Sequence, residues 1–339
     1  MITLVYRQRL LQVQWQAAAV HLLDWLNSNI GSDDGPPKKN AVKATKAKVY
    51  GIVAYSKGVK RVIGRGDYVV ETGLHRPDID RTLLRYRQSE ASFSNPNASV
   101  CQATINWLYT TCTVLKERHR VNSVPGDSSF SLLELYCGNA NHTVALAPLF
   151  ANVVGVEINP RLVTAARNNL RDNGVTNARI VHGDCKRFSR DTKVCSPTPE
   201  SSTATVPVQR QQHHSGWTVR CRVKSRSLQQ QQATDALTKT SLTSTRPDST
   251  AHPQTVQSEI DFAASVVLVD PPRGGLDEHT RALVQQFHFI IYISCNPQSL
   301  LRDMKATLAS THSVTRFAFL DHFPYTHHVE CAVLLEARG

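Results

Sequence analysis

Short apolar runs, each closed by a glycine, an acid or a thiol, constrain the fold of this chain more than any other feature. Residues 132–136 run into Cys137-Gly138-Asn139, and residues 153–158 carry Glu157 at their end. Residues 265–269 stop at Asp270-Pro271-Pro272-Arg273, and residues 289–293 stop at Ser294-Cys295-Asn296-Pro297. Apolar runs of this length bounded by Gly, Pro and Asn read as buried strands. Between them lie helical patterns: residues 139–149 form one, and Leu162, Ala165, Ala166, Asn169 and Leu170 mark one face of the next, which stops at Asn173-Gly174. Further strands are expected at 179–181, 314–319 and 331–335. Such alternation predicts an α/β fold with a doubly wound sheet. Chemistry in these sheets gathers at the carboxyl ends of the strands. Asp270, Cys295 and Glu330 are thereby delivered to one rim, an arrangement suited to covalent catalysis by a cysteine.

Cysteines usually just pack, and that is the reading for positions 101, 112, 137, 185, 195, 221 and 331. No Cys-x-x-Cys pair occurs, which argues against a zinc or iron–sulfur site; no metal is expected. Cys295 differs, because it follows a strand and is held by Asn-Pro, which forces a sharp exit.

The formal charge of +12 and a pI near 9.5 favour a polyanionic partner. No apolar run approaches a membrane span and no signal pattern opens the chain, so no membrane is expected. Unpatterned cysteines fit a reducing compartment, and a cytoplasmic monomer is the expectation.

Three regions stand out along the 339 residues. Residues 1–90 open on a strand at 2–6, continue into a helical pattern at Val13, Ala17, Val20, Leu23 and Leu26, and end in strands at 49–55 and 68–71. Lysines 38, 39, 43, 46 and 48 give this region candidate phosphate contacts. It reads as a smaller, partial α+β region, incomplete at its front. Residues 91–339 read as the α/β domain, interrupted at 190–258 by a segment rich in Ser, Thr, Gln and Pro. Apolar residues there are too sparse to offset ordering entropy, so a disordered insert is expected.

The loop after the first sheet strand, Tyr136-Cys137-Gly138-Asn139-Ala140-Asn141, has a glycine that permits close approach of a ligand. Backbone N–H groups at the start of the following helix supply donors. Glu157 lies about 20 residues on, where an acid accepts hydrogen bonds from ribose hydroxyls. A dinucleotide site would want Gly-x-Gly-x-x-Gly; a single glycine argues for a nucleoside ligand such as S-adenosylmethionine.

From Ser92 onward the chain resembles the tRNA (uracil-5-)-methyltransferases, within the wider RNA 5-methyluridine methyltransferase family. The resemblance rests on Ser92-Phe93-Ser94-Asn95-Pro96-Asn97, residues 133–141, Val156-Glu157-Ile158, Asp270-Pro-Pro-Arg-Gly-Gly-Leu276, Tyr292-Ile-Ser-Cys-Asn-Pro297 and Phe323-Pro-Tyr-Thr-His-His-Val-Glu330. It implies a Rossmann-like methyltransferase sheet, S-adenosylmethionine as cofactor and tRNA as partner, the target being the T-loop uridine at tRNA position 54. The same resemblance implies that the smaller, partial α+β region at 1–90 is an RNA-binding region. It also implies that Asn95, Tyr136, Gly138, Asn141, Glu157 and Asp270 line the cofactor site, with Cys295 as nucleophile and Glu330 as general base. Asn95 stands where the family has a glutamine, Ala140 replaces a glycine and His142 replaces an apolar residue, departures that bear on cofactor affinity more than on chemistry. Two other readings stay open: methylation of a different base, such as an rRNA uridine or a cytosine, and a non-catalytic RNA-binding relative. The tail at Glu330 and Asp-Pro-Pro-Arg weigh against the first, and retention of both Cys295 and Glu330 against the second.

Overall fold

The computed structural model describes residues 2–6, 12–29, 51–56, 59–64, 68–78, 83–89, 97–122, 130–195, 219–225 and 258–338. Asn95 and the lysines between 38 and 48 lie outside these residues. The chain forms two compact units, one comprising Met1–Val70 with Arg87–Phe93 and the other Glu71–Tyr86 with Ser94–Gly339. The boundary expected near residue 90 is therefore crossed by residues 71–86. The reason is packing: Leu74, Leu84 and Tyr86 bury against Cys101, Ile105, Cys137 and Val144 of the larger unit.

In the smaller unit, strand β1 (Ile2–Tyr6) runs parallel to β2 (Gly51–Ser56), and β3 (Val59–Gly64) returns antiparallel to β2. Helix α1 (Gln12–Asn29) covers them with Trp15 and Ala19, four residues apart and so on one face, against Ile52 and Ala54. Strands β4 (Tyr68–His75) and β5 (Leu83–Ser89) pair as a separate ribbon.

The larger unit is built on a seven-stranded sheet. Its parallel strands are β6 (Leu132–Leu135), β7 (Val153–Glu157), β8 (Ala178–His182), β12 (Val266–Val269) and β13 (Phe289–Ser294). The antiparallel strand β15 (Glu330–Ala337) lies between β13 and the edge strand β14 (His312–Leu320), so the order is β14-β15-β13-β12-β6-β7-β8. The order reverses between β12 and β6, which leaves a crevice at their carboxyl ends. Alternate side chains feed opposite faces. Leu133, Leu135, Val267, Val269, Ile290 and Tyr292 pack under Phe188, Leu283 and Leu300, whereas Leu132, Val266, Leu268, Phe289 and Ile291 pack under Leu108, Cys112 and Leu115. Covering both faces is what makes these strands read as unbroken apolar runs. The expected doubly wound α/β sheet is the observed one.

Sequence reasoning passed over the longest helix among the described residues, α2 (Ala98–Asn122). Its signal was available in Cys101, Ile105, Leu108, Cys112 and Leu115, all buried and spaced three or four apart. The helix expected at 139–149 is shorter, α3 (Asn141–Leu146) followed by a 3-10 turn. Helix α4 (Pro160–Asp172) ends where expected, with Asn173 as cap and Gly174 at φ +66°.

The disordered insert at 190–258 needs correction. Strands β9 (Thr192–Cys195), β10 (Val219–Ser225) and β11 (Ser258–Ala264) form an antiparallel sheet of order β11-β10-β9. Val219 and Cys221 are buried in the same core as Phe188, so sparse apolar residues suffice when they land on a surface that already exists. Residues 196–218 and 226–257 lie outside the described ones. No helix among the described residues is long and apolar enough to cross a membrane.

Candidate active site

Strand polarity assembles the site. β12 and β13 run parallel, so Asp270 and Cys295 leave the same edge of the sheet. β15 runs the other way, and its register with β13 pairs Cys331 with Ser294. Glu330, one residue earlier, therefore starts at the edge where Cys295 emerges. β14 is antiparallel to β15 and pairs Leu320 with Glu330, so the chain following β14 reaches that edge too. Asp270, Cys295 and Glu330, expected at one rim from sequence, are brought there.

Hydrogen bonds within the supporting loops fix Cys295. The Asn296 carboxamide donates to the Arg273 carbonyl at 3.0 Å, while its oxygen accepts from the Gln298 N–H and caps helix α7 (Pro297–Asp303). This explains the Asn after the thiol: it ties the Cys295 turn to the Asp270–Arg273 turn. Behind them Asp303 is fully buried and accepts from the Leu276 N–H at 2.7 Å, the Tyr292 hydroxyl at 2.9 Å and the guanidinium groups of Arg281 and Arg302. A buried carboxylate is tolerable only when saturated in this way. Gly275 has φ +77°, and a Cβ there would stand 2.5 Å from the Asp303 carboxylate, so the second glycine after Arg273 is required by this knot, whereas Gly274 has open space around it. Asp303 and its partners were not singled out from sequence.

The acids and the thiol influence one another. Burial, together with Glu330 and Glu134, raises Asp270 to about 7, while His142 and His322 oppose the rise. Burial also pushes the Cys295 thiol up, as do Asp270 and Glu330; Arg273 pulls it down. His142 lies beneath, its Nδ1 3.3 Å from Glu134 Oε1. Burial alone would depress this imidazole, but the Glu134 contact outweighs it and the net shift is upward. The Thr143 hydroxyl donates to the other Glu134 oxygen. Close to Glu330, His322 Nε2 stands 3.0 Å from the carboxylate Oε2. Sequence reasoning missed His322, since one histidine before Phe-Pro carries no spacing signal.

The cofactor loop is held from several sides. Glu157 Oε2 accepts from the Gly138 N–H at 3.0 Å and Oε1 accepts from the Asn159 N–H at 2.7 Å. The Tyr86 hydroxyl donates to the Asn141 carbonyl, and Asn169 donates to the Asn139 carbonyl. Tyr136, Gly138 and Ala140 all have positive φ, +63°, +56° and +65°. At Ala140 the missing glycine thus costs backbone strain, of order 1–2 kcal/mol. The residues present fit a nucleoside cofactor on two observations: the space a Cβ on Gly138 would enter is open, and the buried Asn141 Oδ1 has no hydrogen-bond partner. Tyr136, Gly138, Asn141, Glu157 and Asp270 all lie around the crevice between β6 and β12. Among the described residues no group of His, Cys, Asp and Glu is placed to hold a metal.

The family model described as tRNA (Uracil-5-)-methyltransferase matches residues 1–194 and 254–338. The chain belongs to the tRNA (uracil-5-)-methyltransferase family. It is a methyltransferase of the class that acts on carbon 5 of uracil in tRNA, and S-adenosylmethionine is its methyl donor. A second model, RNA cap guanine-N2 methyltransferase, matches residues 130–289 of this methyltransferase. Among curated relatives, the tRNA/tmRNA (uracil-C(5))-methyltransferase of Neisseria meningitidis serogroup B is 31% identical over 338 residues, covering 100% of this chain and 68% of the relative. The protein of that name from Ectopseudomonas mendocina is 33% identical over 338 residues, covering 100% and 67%. The chain thus spans about two thirds of the length of the curated relatives it matches. Among solved structures, the Pyrococcus abyssi tRNA (uracil-54, C5)-methyltransferase in complex with S-adenosyl-L-homocysteine is 18% identical, with a TM-score of 0.48 over 88% of this chain and 54% of that one.

Proposed function

We propose that this methyltransferase modifies the T-loop uridine of tRNA through a covalent adduct, with Cys295 as nucleophile and Glu330 as base. The observation that carries the reading is the β13–β15 register, which sets Glu330 beside the strand end bearing Cys295, with Asp270 on the neighbouring strand. Carbon 5 of uracil is a weak nucleophile. The Cys295 thiolate forms a bond to carbon 6, and the electrons of the 5,6 double bond move onto the carbon 4 carbonyl as an enolate. Carbon 5 of that enolate would then bond to the methyl carbon of the bound donor as the methyl–sulfur bond breaks, its electron pair staying on sulfur and S-adenosylhomocysteine leaving. S-adenosylmethionine, when bound, supplies the methyl as an electrophile. Glu330 next removes the carbon 5 proton; the released electron pair restores the 5,6 double bond and the sulfur–carbon 6 bond breaks, returning the thiolate. Tyr136, Gly138, Asn141, Glu157 and Asp270 hold the cofactor. The target edge is covered in stacked RNA, so the uridine leaves its stack to reach Cys295. The net charge of +12 suits the phosphate contacts this demands.

The test is nucleoside mass spectrometry on unmodified tRNA incubated with cofactor, run beside Cys295→Ala and Glu330→Gln. Wild type should yield 5-methyluridine in the T-loop. Cys295→Ala should yield none, and Glu330→Gln should accumulate a protein–RNA adduct that survives denaturing gels. Product from folded Cys295→Ala, or methylation of cytosine instead, overturns the reading.

A further inference from the structure

Proton removal from carbon 5 is reversible while the proton stays on Glu330, so the adduct decays only as fast as that carboxyl sheds it. Solvent is one route from Glu330, but its side chain is only 12% exposed. His322 is nearer. Its side chain is 3% exposed, Nε2 sits 3.0 Å from Glu330 Oε2, and Nδ1 has no hydrogen-bond partner among the described residues. With Nε2 against the carboxylate and Nδ1 unsatisfied, this buried imidazole costs free energy, and its placement faces it toward Glu330. Its position follows from topology. Leu320 pairs with Glu330, and the His322 N–H donates to the Leu320 carbonyl at 3.2 Å, folding the ring back over the start of β15. The Phe323 ring packs beside it, with centroids 6.5 Å apart.

We infer that His322 is a positioning and relay residue, which accepts through Nε2 the proton that Glu330 has removed from carbon 5. The inference rests on the base role given to Glu330 above. In the relay the Glu330 O–H bond breaks as an Nε2–H bond forms, so the carboxyl becomes carboxylate again and the neutral imidazole becomes imidazolium. The imidazolium then releases a proton to water as the methylated RNA departs, and no oxidant or further reactant is needed. An imidazole is suited to this because it gains and loses a proton near neutral pH. The groups bearing on it are Glu330 at the start of β15 and Asp270 after β12. Around those acids stand His142 and Glu134, and Cys295 with Arg273. Two histidines thus flank the Asp270–Glu330 pair, one from α3 and one from the turn after β14.

Single-turnover kinetics with full-length protein, T-arm RNA and labelled cofactor test the relay, by following methyl incorporation and adduct decay separately. In His322→Gln, methyl incorporation should stay within about threefold of wild type, while adduct decay slows by about tenfold or more. The pH dependence of decay should flatten. In His322→Ala, added imidazoles should restore decay in order of their basicity, which a purely structural cavity would not produce. Unchanged S-adenosylhomocysteine affinity and melting temperature establish that both variants are folded. Wild-type adduct decay in His322→Gln, equal slowing of incorporation and decay, or rescue indifferent to basicity would each overturn the relay. If Glu330→Gln traps an adduct and His322→Gln does not prolong one, the relay fails alone. If neither wild type nor Glu330→Gln ever shows an adduct, the covalent reading fails with it.

Discussion

His142 Nδ1 lies 3.3 Å from Glu134 Oε1 beneath the pocket, with the two side chains only 7% and 1% exposed. Glu134 lies between Leu133 and Leu135 on β6 and pairs with Leu268 and Gly155 across the sheet, where a carboxylate without a cation would be costly. The histidine that looked from sequence like a departure from the family is thus the partner of a buried acid, and its role is to hold that acid below Asp270.

Replacing His142 with Phe should therefore destabilise the larger unit by about 3–5 kcal/mol, the usual cost of leaving one member of a buried pair alone. The double variant His142→Phe/Glu134→Gln should recover most of it. Because the folded His142 titrates above its ordinary value, its stabilising contribution is complete below the unfolded value and lost as pH rises through the folded one. Urea denaturation of the single and double variants at pH 6 and pH 9 measures both effects; a double variant no more stable than the single one refutes the pairing.

Asp270 is expected to give a pH dependence of its own. Its carboxyl is raised to about 7, so from the ordinary carboxylate range up to that value the folded protein holds a proton that the unfolded chain does not. Stability consequently falls as pH rises across this window. Asp270→Asn should remove that slope, so the variant's melting temperature should gain on wild type between pH 5 and pH 8, by about 2–4 °C for each kcal/mol removed. Cofactor binding should respond in the opposite sense. The sulfonium of S-adenosylmethionine favours ionised Asp270, so its affinity should rise through pH 7, whereas neutral S-adenosylhomocysteine should respond less. Calorimetric titrations of both ligands check the contrast.

Much of this arrangement could be read from residues alone. Buried parallel strands are apolar on both faces, so residues 289–293 announced β13, and Asp-Pro-Pro-Arg and Ser-Cys-Asn-Pro announced its rim. The Glu134–His142 pair could not be read, because its members are eight residues apart and meet only once β6 and α3 fold over one another. The same holds for Asp303, whose partners Leu276, Arg281 and Tyr292 come from three segments. Helix α2 was legible by its spacing, but the stripe is diluted by Thr and Asn. Strands β9 and β10 were not legible, because their apolar residues are few: Val194 of β9 stays exposed, and only Val219 and Cys221 of β10 bury, in a core that already holds Phe188.

Gly155 offers a test of how tightly the cofactor loop is packed. A Cβ there would lie 2.9 Å from both Cys137 Sγ and Ile180 Cδ1. Gly155→Ala should cost about 1–3 kcal/mol through overpacking, and displacement of Cys137 should weaken S-adenosylhomocysteine binding because Tyr136 and Gly138 flank it. Adding Cys137→Ala should restore much of the affinity. Isothermal titration of the three variants decides this, and unaltered affinity in Gly155→Ala would show that the loop yields without consequence.

The segment at 190–258 can be divided by deletion. Removing residues 228–255 leaves β10 and β11 intact and shortens only their connection, and closure entropy changes slowly with loop length. The connection shortens from residues 226–257 to four residues, three halvings at about 0.6 kcal/mol each, so stability should equal wild type or exceed it by up to about 2 kcal/mol. Removing residues 196–257 also deletes β10. That exposes the surface covered by Val219 and Cys221, and leaves β9 and β11 without the strand that pairs with both. Burial of one valine-sized side chain is worth about 1.5–3 kcal/mol, so the longer deletion should cost several kcal/mol in urea denaturation. The cofactor crevice lies beside β6 and β12, whereas β10 packs against helix α5 (Cys185–Asp191). S-adenosylhomocysteine affinity should therefore survive the shorter deletion, and fall in the longer one only as far as the folded fraction falls. Equal stability of the two deletions would show that β10 contributes nothing to the core it covers.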